Sequence, residues 1–264
     1  MIHVHDTAAG AWLDTLATIL SRGRRVAPRG LETLELTHHA LAFRMRAPVV
    51  NVAARRPSYK FMAAEALWIL SGDDTVDGIA PYNAAIAAFS DDGKTFYGAY
   101  GPRVTTQLPH VINALCADRD TRQAVLTTWR PSPPPTKDVP CTVALTFEIR
   151  DDALSCHAFM RSSDAWLGLP YDVFNFSLIA ARVACAVNLK SAQRVKLGNL
   201  YLTAVSSHLY ARDHDIARLC LGAAIVEQSY ALAALVDAGD WDAIAEDVRR
   251  CRDNEPPIYW RIRS

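Results

Sequence analysis

The stretch "DVPC" sets a lone cysteine, Cys141, straight after a proline and ahead of the alternating run "TVALTFEI". A cysteine attacks only as the thiolate, so a nucleophile here needs a cation beside it and some exposure. Arg161, at the end of the next strand of the expected hairpin, is placed to lie alongside. Taken by itself, Cys141 reads rather as a small buried hydrophobe. "RSSD", Arg161 to Asp164, gathers a guanidinium, the hydroxyls of Ser162 and Ser163, and an acid on a strand end. That set suits a phosphate or another polar ligand, because arginine offers a two-pronged fork and serine adds a donor. Ordinary turn chemistry explains it equally well. Glu65 lies in "AAEALWIL", a helix expected to be mostly buried, where an unpaired carboxylate is costly and its pKa rises. Such acids often move protons. Asp172 stands in "LGLPYDVFNF" with apolar residues on both sides, and capping the helix that it opens would explain it chemically.

These side chains need elements to hold them. Helical spacing over Ala11 to Ser21 puts Trp12, Leu13, Leu16 and Ile19 on one face. "LETLELTHHALAFRM" alternates as strands around a turn. "SYKFMAAEALWILSG" reads as an apolar helix stopped at Gly72. From Asp73 to Arg103 the signal is weak. "AVLTTW" reads as a buried strand, and "RPSPPPTKDVP" as a rigid loop within one domain, since the short strands beside it cannot bury themselves alone. "TVALTFEI" and "ALSCHAFMRS" make a hairpin around "RDD". A long buried helix is expected from Asp172 to Leu189 and a strand over "RVKLGNLYLTAV". "SSHLYARDHDIARLCL" is read as a helix capped by its serines, and "DWDAIAEDVRRC" as a last amphipathic helix. No repeat, G-x-G-x-x-G or P-loop is present. The mixture has no regular βαβ rhythm, so the fold class is α/β or α+β over residues 1–264 as one domain.

Half of the 264 residues are hydrophobic, enough for one sizeable core. Twenty-eight basic residues balance twenty-eight acidic ones, which removes the footprint of a duplex-DNA binder, so no nucleic-acid partner is expected. Six cysteines without C-x-x-C spacing argue against a disulfide scaffold and a zinc ribbon. His3 and His5 in "HVH" stand alone, so no metal is expected. The N-terminal stretch lacks a basic region and fails as a signal peptide. No apolar run is read as reaching membrane-spanning length, which leaves the cytosol as the expected compartment and no membrane partner.

Taken in order, the motifs resemble the thymidylate synthase family. Its nucleophile motif "PC" is matched by Pro140 and Cys141, its "RS.D..LGLP" signature by Arg161 to Pro170, its "HLY" by His208 to Tyr210, and its "E.LW.L.GD" segment by Glu65 to Asp73. The matches run over nearly the whole chain. The resemblance implies a mixed twisted sheet flanked by helices, packed at a homodimer interface. It implies that Cys141 adds to C6 of a pyrimidine nucleotide, so that C5 attacks the one-carbon unit of 5,10-methylenetetrahydrofolate. Arg161, Ser162 and Ser163 would hold the phosphate, joined by Arg122 reaching across from a partner subunit. The second residue of that family arginine pair is Gln123 here. Arg29, near the family's N-terminal phosphate arginine, would supply the missing charge. His208 and Tyr210 would bind the sugar 3′-hydroxyl, and Glu65 would organise water and proton transfer. Tyr100 would lie near the nucleophile. Asp164 would hold the folate pterin, with Leu167 and Gly168 beside it.

One departure decides the substrate expected. The family's "LGLPFN" asparagine, which reads the pyrimidine edge, is replaced by Asp172. An ionised carboxylate would accept from the cytosine amino group, repel O4 of uracil and favour protonation of N3. The expected substrate is therefore a cytidylate, CMP or dCMP, with the alanine- and arginine-heavy composition tilting the reading to CMP. Where family synthases carry a tryptophan-rich "IWDEW" stretch, this chain has "IAPYNAAIAAF". The family's C-terminal lid is not recognisable in "EPPIYWRIRS", and Thr142 stands where synthases have histidine. A wetter site favours quenching of the exocyclic methylene by water over hydride. The chain thus resembles the cytidylate 5-hydroxymethylases known from phages with modified cytosine and from nucleoside-antibiotic pathways. Methylation of dUMP or dCMP, and a nucleotide- or RNA-binding relative without catalysis, are the alternatives.

Overall fold

Alternating apolar side chains lay out a mixed sheet, and the most apolar helix lies against it. In the computed structural model, which describes residues 2–226 and 228–262, helix α1 (Ala8–Arg22) leads into β1 (Arg24–Val26) and β2 (Thr33–Arg44). Helices α2 (Tyr59–Ser71), α3 (Val76–Ile79) and α4 (Gly101–Ala117) follow. Next come β3 (Val125–Thr127), β4 (Thr142–Arg150), β5 (Ala153–Met160) and the short β6 (Ser163–Asp164). Core helix α5 (Leu169–Lys190) returns into β7 (Lys196–Tyr210), followed by α6 (His214–Leu221) and β8 (Gln228–Tyr230). The chain continues through α7 (Leu232–Ala238), α8 (Trp241–Arg252) and β9 (Trp260–Ile262).

The main sheet runs β1-β2-β7-β5-β4-β3, with β6 added to β7. Strand β7 is its hub, antiparallel to β2 and parallel to β5 and β6. The β4–β5 hairpin turns at Asp151 and Asp152, both at positive φ of 50° and 57°, the backbone that a tight hairpin demands. One sheet face is sealed by α5, whose Phe174, Phe176, Leu178 and Val183 are fully buried. On the other face Phe159 and Val205 stay 45% and 50% exposed. By length and composition α5 could cross a membrane, contrary to the expectation that no apolar run is long enough, but 83% of its apolar window lies inside the fold. Its hydropathy is that of a core helix, surrounded by protein on all sides.

Two other expectations are corrected. "LETLELTHHALAFRM" is one strand; β2 keeps a constant register against β7 from Thr33↔Tyr210 to Arg44↔Asn199, and the expected turn shrinks to a positive φ of 55° at His38. "SSHLY" is strand, not helix: Ser206 to Tyr210 belong to β7, and α6 begins only at His214 without a side-chain cap. Pairing with β2 on one side and β6 on the other outweighs the local capping preference of serine. The weak region after Asp73 holds α3, a 3-10 turn and the start of α4, helices too short or too polar to show a period. The proline-rich residues 131–141 form no regular element.

Two glycines fix α4 against α2. Gly72 ends α2 at a φ of 79°, and a Cβ on Gly101 would sit 2.4 Å from the Asp73 carbonyl oxygen. The backbones touch there, so Tyr100 is held relative to Glu65 on α2.

Candidate active site

The β4–β5 ladder continues one step past its strands. The Arg161 backbone N–H donates to the Cys141 carbonyl at 2.9 Å, which sets Arg161 opposite the cysteine. Its guanidinium donates to the carbonyls of Pro140 (2.9 Å) and Val139 (2.8 Å) and lies 3.9 Å from Cys141 Sγ. A register shift between Thr142 and Ala144 re-aims the start of β4, as bulges beside active sites do. Cys141 is open to solvent whereas Cys156, Cys185 and Cys220 are buried. The reading of Cys141 as a core cysteine therefore fails. Tyr100 reaches the same strand: its hydroxyl accepts from the Thr142 N–H at 3.1 Å.

The signature after Arg161 is held by its own loop. Asp164 Oδ1 accepts from the N–H groups of Trp166 and Leu167, both at 2.9 Å, closing the turn and leaving Oδ2 unspent. The Trp12 indole donates to Ala165 O at 2.6 Å, and Arg55 donates to Trp166 O at 2.9 Å. Ser162 is half-buried, while Ser163 is 1% exposed with its hydroxyl unpartnered. Leu167 is left 49% exposed beside Asp164.

Across the sheet, β6 pairs with β7 so that Asp164 faces His208. Strand alternation puts His208 and Tyr210 on the same side, with ring centroids 5.3 Å apart, and buries Leu209 between them. Burial lowers the His208 pKa, opposed by Asp164 and Glu35 and reinforced by Arg29. Arg29 is thus within electrostatic reach of the His208 ring, and its backbone takes a φ of 53° in a 3-10 turn. Arg122 and Gln123 lie elsewhere. The pairing Val125↔Thr146 and the Phe147 N–H to Ala124 O bond put them toward the Arg150 end of β4, away from Cys141.

Asp172 occupies the first turn of α5, but the helix N-cap is Gly168, and no side chain caps it. The capping explanation is therefore excluded. Among the described residues the Asp172 carboxyl has no hydrogen-bond partner in the chain. A Cβ on Gly168 would stand 3.3 Å from Asp172 Oδ2, so the glycine leaves the carboxyl room against the backbone. Burial, then Glu65, then Asp164 push the Asp172 pKa well above the usual carboxylate range. Burial and the two neighbouring carboxyls thus oppose the ionised form expected from the sequence and favour the protonated one. Burial also raises Tyr100 well above its ordinary value, with Asp172 and Cys141 adding to it. Although the residue is open to solvent on one side, protein packed around Sγ raises the Cys141 thiol, with Arg161 pulling it back.

Glu65 is pushed up to about 7, by burial first, against the lowering effect of a hydrogen bond from Asn175. The Asn175 amide donates to Glu65 Oε2 at 2.7 Å. Sequence reasoning missed Asn175, although its spacing of three from Asp172 places both on one face of α5. A carboxyl whose folded pKa lies above its ordinary value of 4.5 binds more protons folded than unfolded, so its stability cost is absent below about pH 4.5 and complete above about 7. Glu65→Gln should therefore raise the melting temperature of the ligand-free protein at pH 8 and leave it nearly unchanged at pH 4.5. The gain is bounded at about 3 kcal/mol from the shift. Equal melting shifts at both pH values would count against this account.

Two surface clefts, of about 580 and 550 Å³, contain none of these side chains. Among the described residues no group of three His, Cys, Asp or Glu could hold a metal ion.

A cysteine beside an arginine, a carboxyl within electrostatic reach of two others and a His–Tyr pair on β7 are thus brought together. Residues 10–233 match the sequence model of the family described as thymidylate synthase, and the chain belongs to that family. It is a folate-dependent one-carbon transferase acting on a pyrimidine nucleotide. It is also 29% identical, over 95% of its own length and 68% of the relative's, to the deoxyuridylate hydroxymethyltransferase of Bacillus phage SP01. Residues after 233, which include α8 and β9, lie beyond the family match. Trp260 there is 2% exposed, its ring against Tyr59, Phe174 and Tyr230. The described C-terminal strand is thereby tied to the core.

Proposed function

We propose that this chain is a cytidylate 5-hydroxymethylase, acting on CMP or dCMP as a single cytosolic catalytic domain. The observation that carries the reading is Asp172: an uncapped, unpartnered carboxyl which burial and Glu65 push toward its protonated form, within electrostatic reach of Cys141. A carboxylic acid presents an acceptor and a donor side by side, matching the amino group and N3 of cytosine.

In this reading Cys141 Sγ bonds C6, the C5–C6 π electrons move toward C4 and N3, and Asp172 gives its proton to N3. Methylenetetrahydrofolate, the family's cosubstrate, would supply the one-carbon unit that C5 takes up; C5 would then lose its proton and the carbon–nitrogen bond would break, its electrons leaving with tetrahydrofolate and an exocyclic methylene remaining at C5. Asp164 Oδ2 and the exposed Leu167 fit its flat polar ring, one as acceptor and the other as apolar support, with Gly168 leaving space. Water then adds to the exocyclic methylene at C5 and passes a proton to Glu65. Expulsion of the Cys141 thiolate restores the C5–C6 double bond, and N3 returns its proton to Asp172.

Water rather than hydride is supported by the segment that stands where family synthases carry their tryptophan-rich stretch, since the 3-10 turn Ala84–Phe89 carries no tryptophan. The name of the phage relative points the same way. Arg161, Ser162 and Arg29 would bind the phosphate. Arg122, remote from its own Cys141, would serve the site of a second subunit docked on the open sheet face around Phe159 and Val205. The relative's name also supports a second reading, hydroxymethylation of a deoxyuridylate, because a neutral carboxyl pairs with either base edge.

Incubating CMP, dCMP, UMP and dUMP separately with formaldehyde and tetrahydrofolate, then weighing the products by mass spectrometry, separates these readings. The expected result is a gain of one CH₂O on cytidylates. Formation of dihydrofolate, seen by absorbance, would instead mean methylation, and a preference for uridylates would select the second reading.

A further inference from the structure

Helix α5 brings one more polar side chain to the recess. Asn175 is 3% exposed, its Nδ2 donates to Glu65 Oε2 at 2.7 Å, and its Oδ1 is buried without any partner. A buried amide whose carbonyl end is unsatisfied costs stability, and nothing in the core requires it there: its neighbours on the helix, Phe174 and Phe176, are apolar and fully buried. Its one hydrogen bond goes to the acid that the chemistry needs. We propose that Asn175 is a positioning residue, which holds Glu65 by one carboxyl oxygen so that the other faces the water attacking the exocyclic methylene. The assignment rests on the hydroxymethylase reading for its chemical purpose, but the contact and its consequence for Glu65 stand apart from it.

The argument is geometric. A glutamate on α2 has three side-chain torsions, and among the described residues no other side-chain hydrogen bond fixes them. One N–H donor on Oε2 selects a rotamer and favours the charged form, since a donor stabilises a carboxylate more than a carboxylic acid. The orphaned Oδ1 cannot itself act as donor, so the amide orientation with Nδ2 toward Glu65 is the one that makes a hydrogen bond. The ionisable group acting on Glu65 from α5 is Asp172, which in turn lies within electrostatic reach of Tyr100 at the head of α4 and of Cys141 ahead of β4. Helix α3 also lies against α2, and its Asp77 is exposed. The charged residues of α8, the remaining helix against α2, are directed elsewhere: Asp242, Glu246, Arg249 and Arg252 line a cleft with Ala64, Leu67 and Trp68, and Asp247 accepts from the Tyr259 N–H at 3.1 Å. Asn175 is thus the neutral donor in an acidic recess, and it biases Glu65 toward accepting a proton from water rather than already carrying one.

The test follows Glu65 directly in protein carrying ¹³C-labelled glutamate carboxyls, with its resonance assigned by its loss in Glu65→Gln. The wild-type midpoint is expected near 7. Asn175→Leu, which keeps the volume and removes the donor, should raise it by about one pH unit. Asn175→Ser is the second variant should leucine prevent folding. In the pH profile of kcat for hydroxymethylation, the acidic limb should move upward by the same amount. At pH 7 kcat should fall about fivefold, while the nucleotide KM stays within about twofold. An unchanged midpoint with an unchanged acidic limb would overturn the proposal, and so would a change in KM alone. If the wild-type chain modifies no pyrimidine nucleotide, the hydroxymethylase reading fails, and the carboxyl titration still decides on Asn175.

Discussion

Asp172→Asn should cut kcat on cytidylates by a factor on the order of 10²–10⁴ while changing their KM far less, and should let uridylates turn over. The reason lies in proton supply rather than in hydrogen-bond counting. An amide and a neutral carboxyl each offer one donor and one acceptor, so both can sit against the edge of cytosine in the ground state. They part company when sulfur bonds C6. Charge then builds on the ring toward N3, and a carboxyl can deliver a proton there whereas an amide has none to give. An interaction realised only in the transition state appears in kcat and not in KM. On uracil the same charge moves to O4, where an amide N–H stabilises it without any proton transfer, so the substitution spares uridylate turnover. The elevated pKa of Asp172, caused first by burial and then by Glu65 and Asp164, is what loads the acid before the substrate arrives. Steady-state kinetics on the four nucleotides decide the matter. Undiminished cytidylate turnover in the variant would sink the role given to Asp172.

Cys141→Ala should abolish turnover, with a loss on the order of 10⁴ or more, because a step that forms a bond to the nucleophile has no substitute for it. The loss should appear in single-turnover experiments as well as in steady state, while nucleotide binding, measured by calorimetry, stays within a few fold. The surroundings of Cys141 explain the asymmetry. Arg161 lies 3.9 Å from Sγ and favours the thiolate, against burial and the neighbouring Asp172. Phosphate and sugar contacts are made by other side chains and survive the substitution. Full activity in Cys141→Ala would remove covalent catalysis and return the chain to the class of nucleotide- or RNA-binding relatives.

How much of this was legible without coordinates differs from element to element. The α2 helix, its stop at Gly72, the β4–β5 hairpin and α5 all follow from local signals: a period, a turn dipeptide, a helix-ending glycine. Those signals are local in the chain and survive any tertiary arrangement. The "SSHLY" segment misled because its serines are helix caps by local chemistry, whereas two flanking strands make it a strand. The region from Asp73 to Arg103 stayed unread because its helices are too short to show a period.

The amino-acid sequence by itself determined the kinds of groups available: a cysteine after a proline, an arginine a hairpin away, an acid where the family carries an amide. Residue types are chemistry before they are geometry, and motif order is preserved along the chain. Only the tertiary structure decided their state. Which acid is neutral, that Asp172 caps nothing, that Arg122 is remote from its own nucleophile and that Asn175 grips Glu65 all depend on burial and on neighbours from distant segments. A pKa is set by the water removed and the charges brought close, and neither quantity exists until α2, α5 and the sheet have closed on one another.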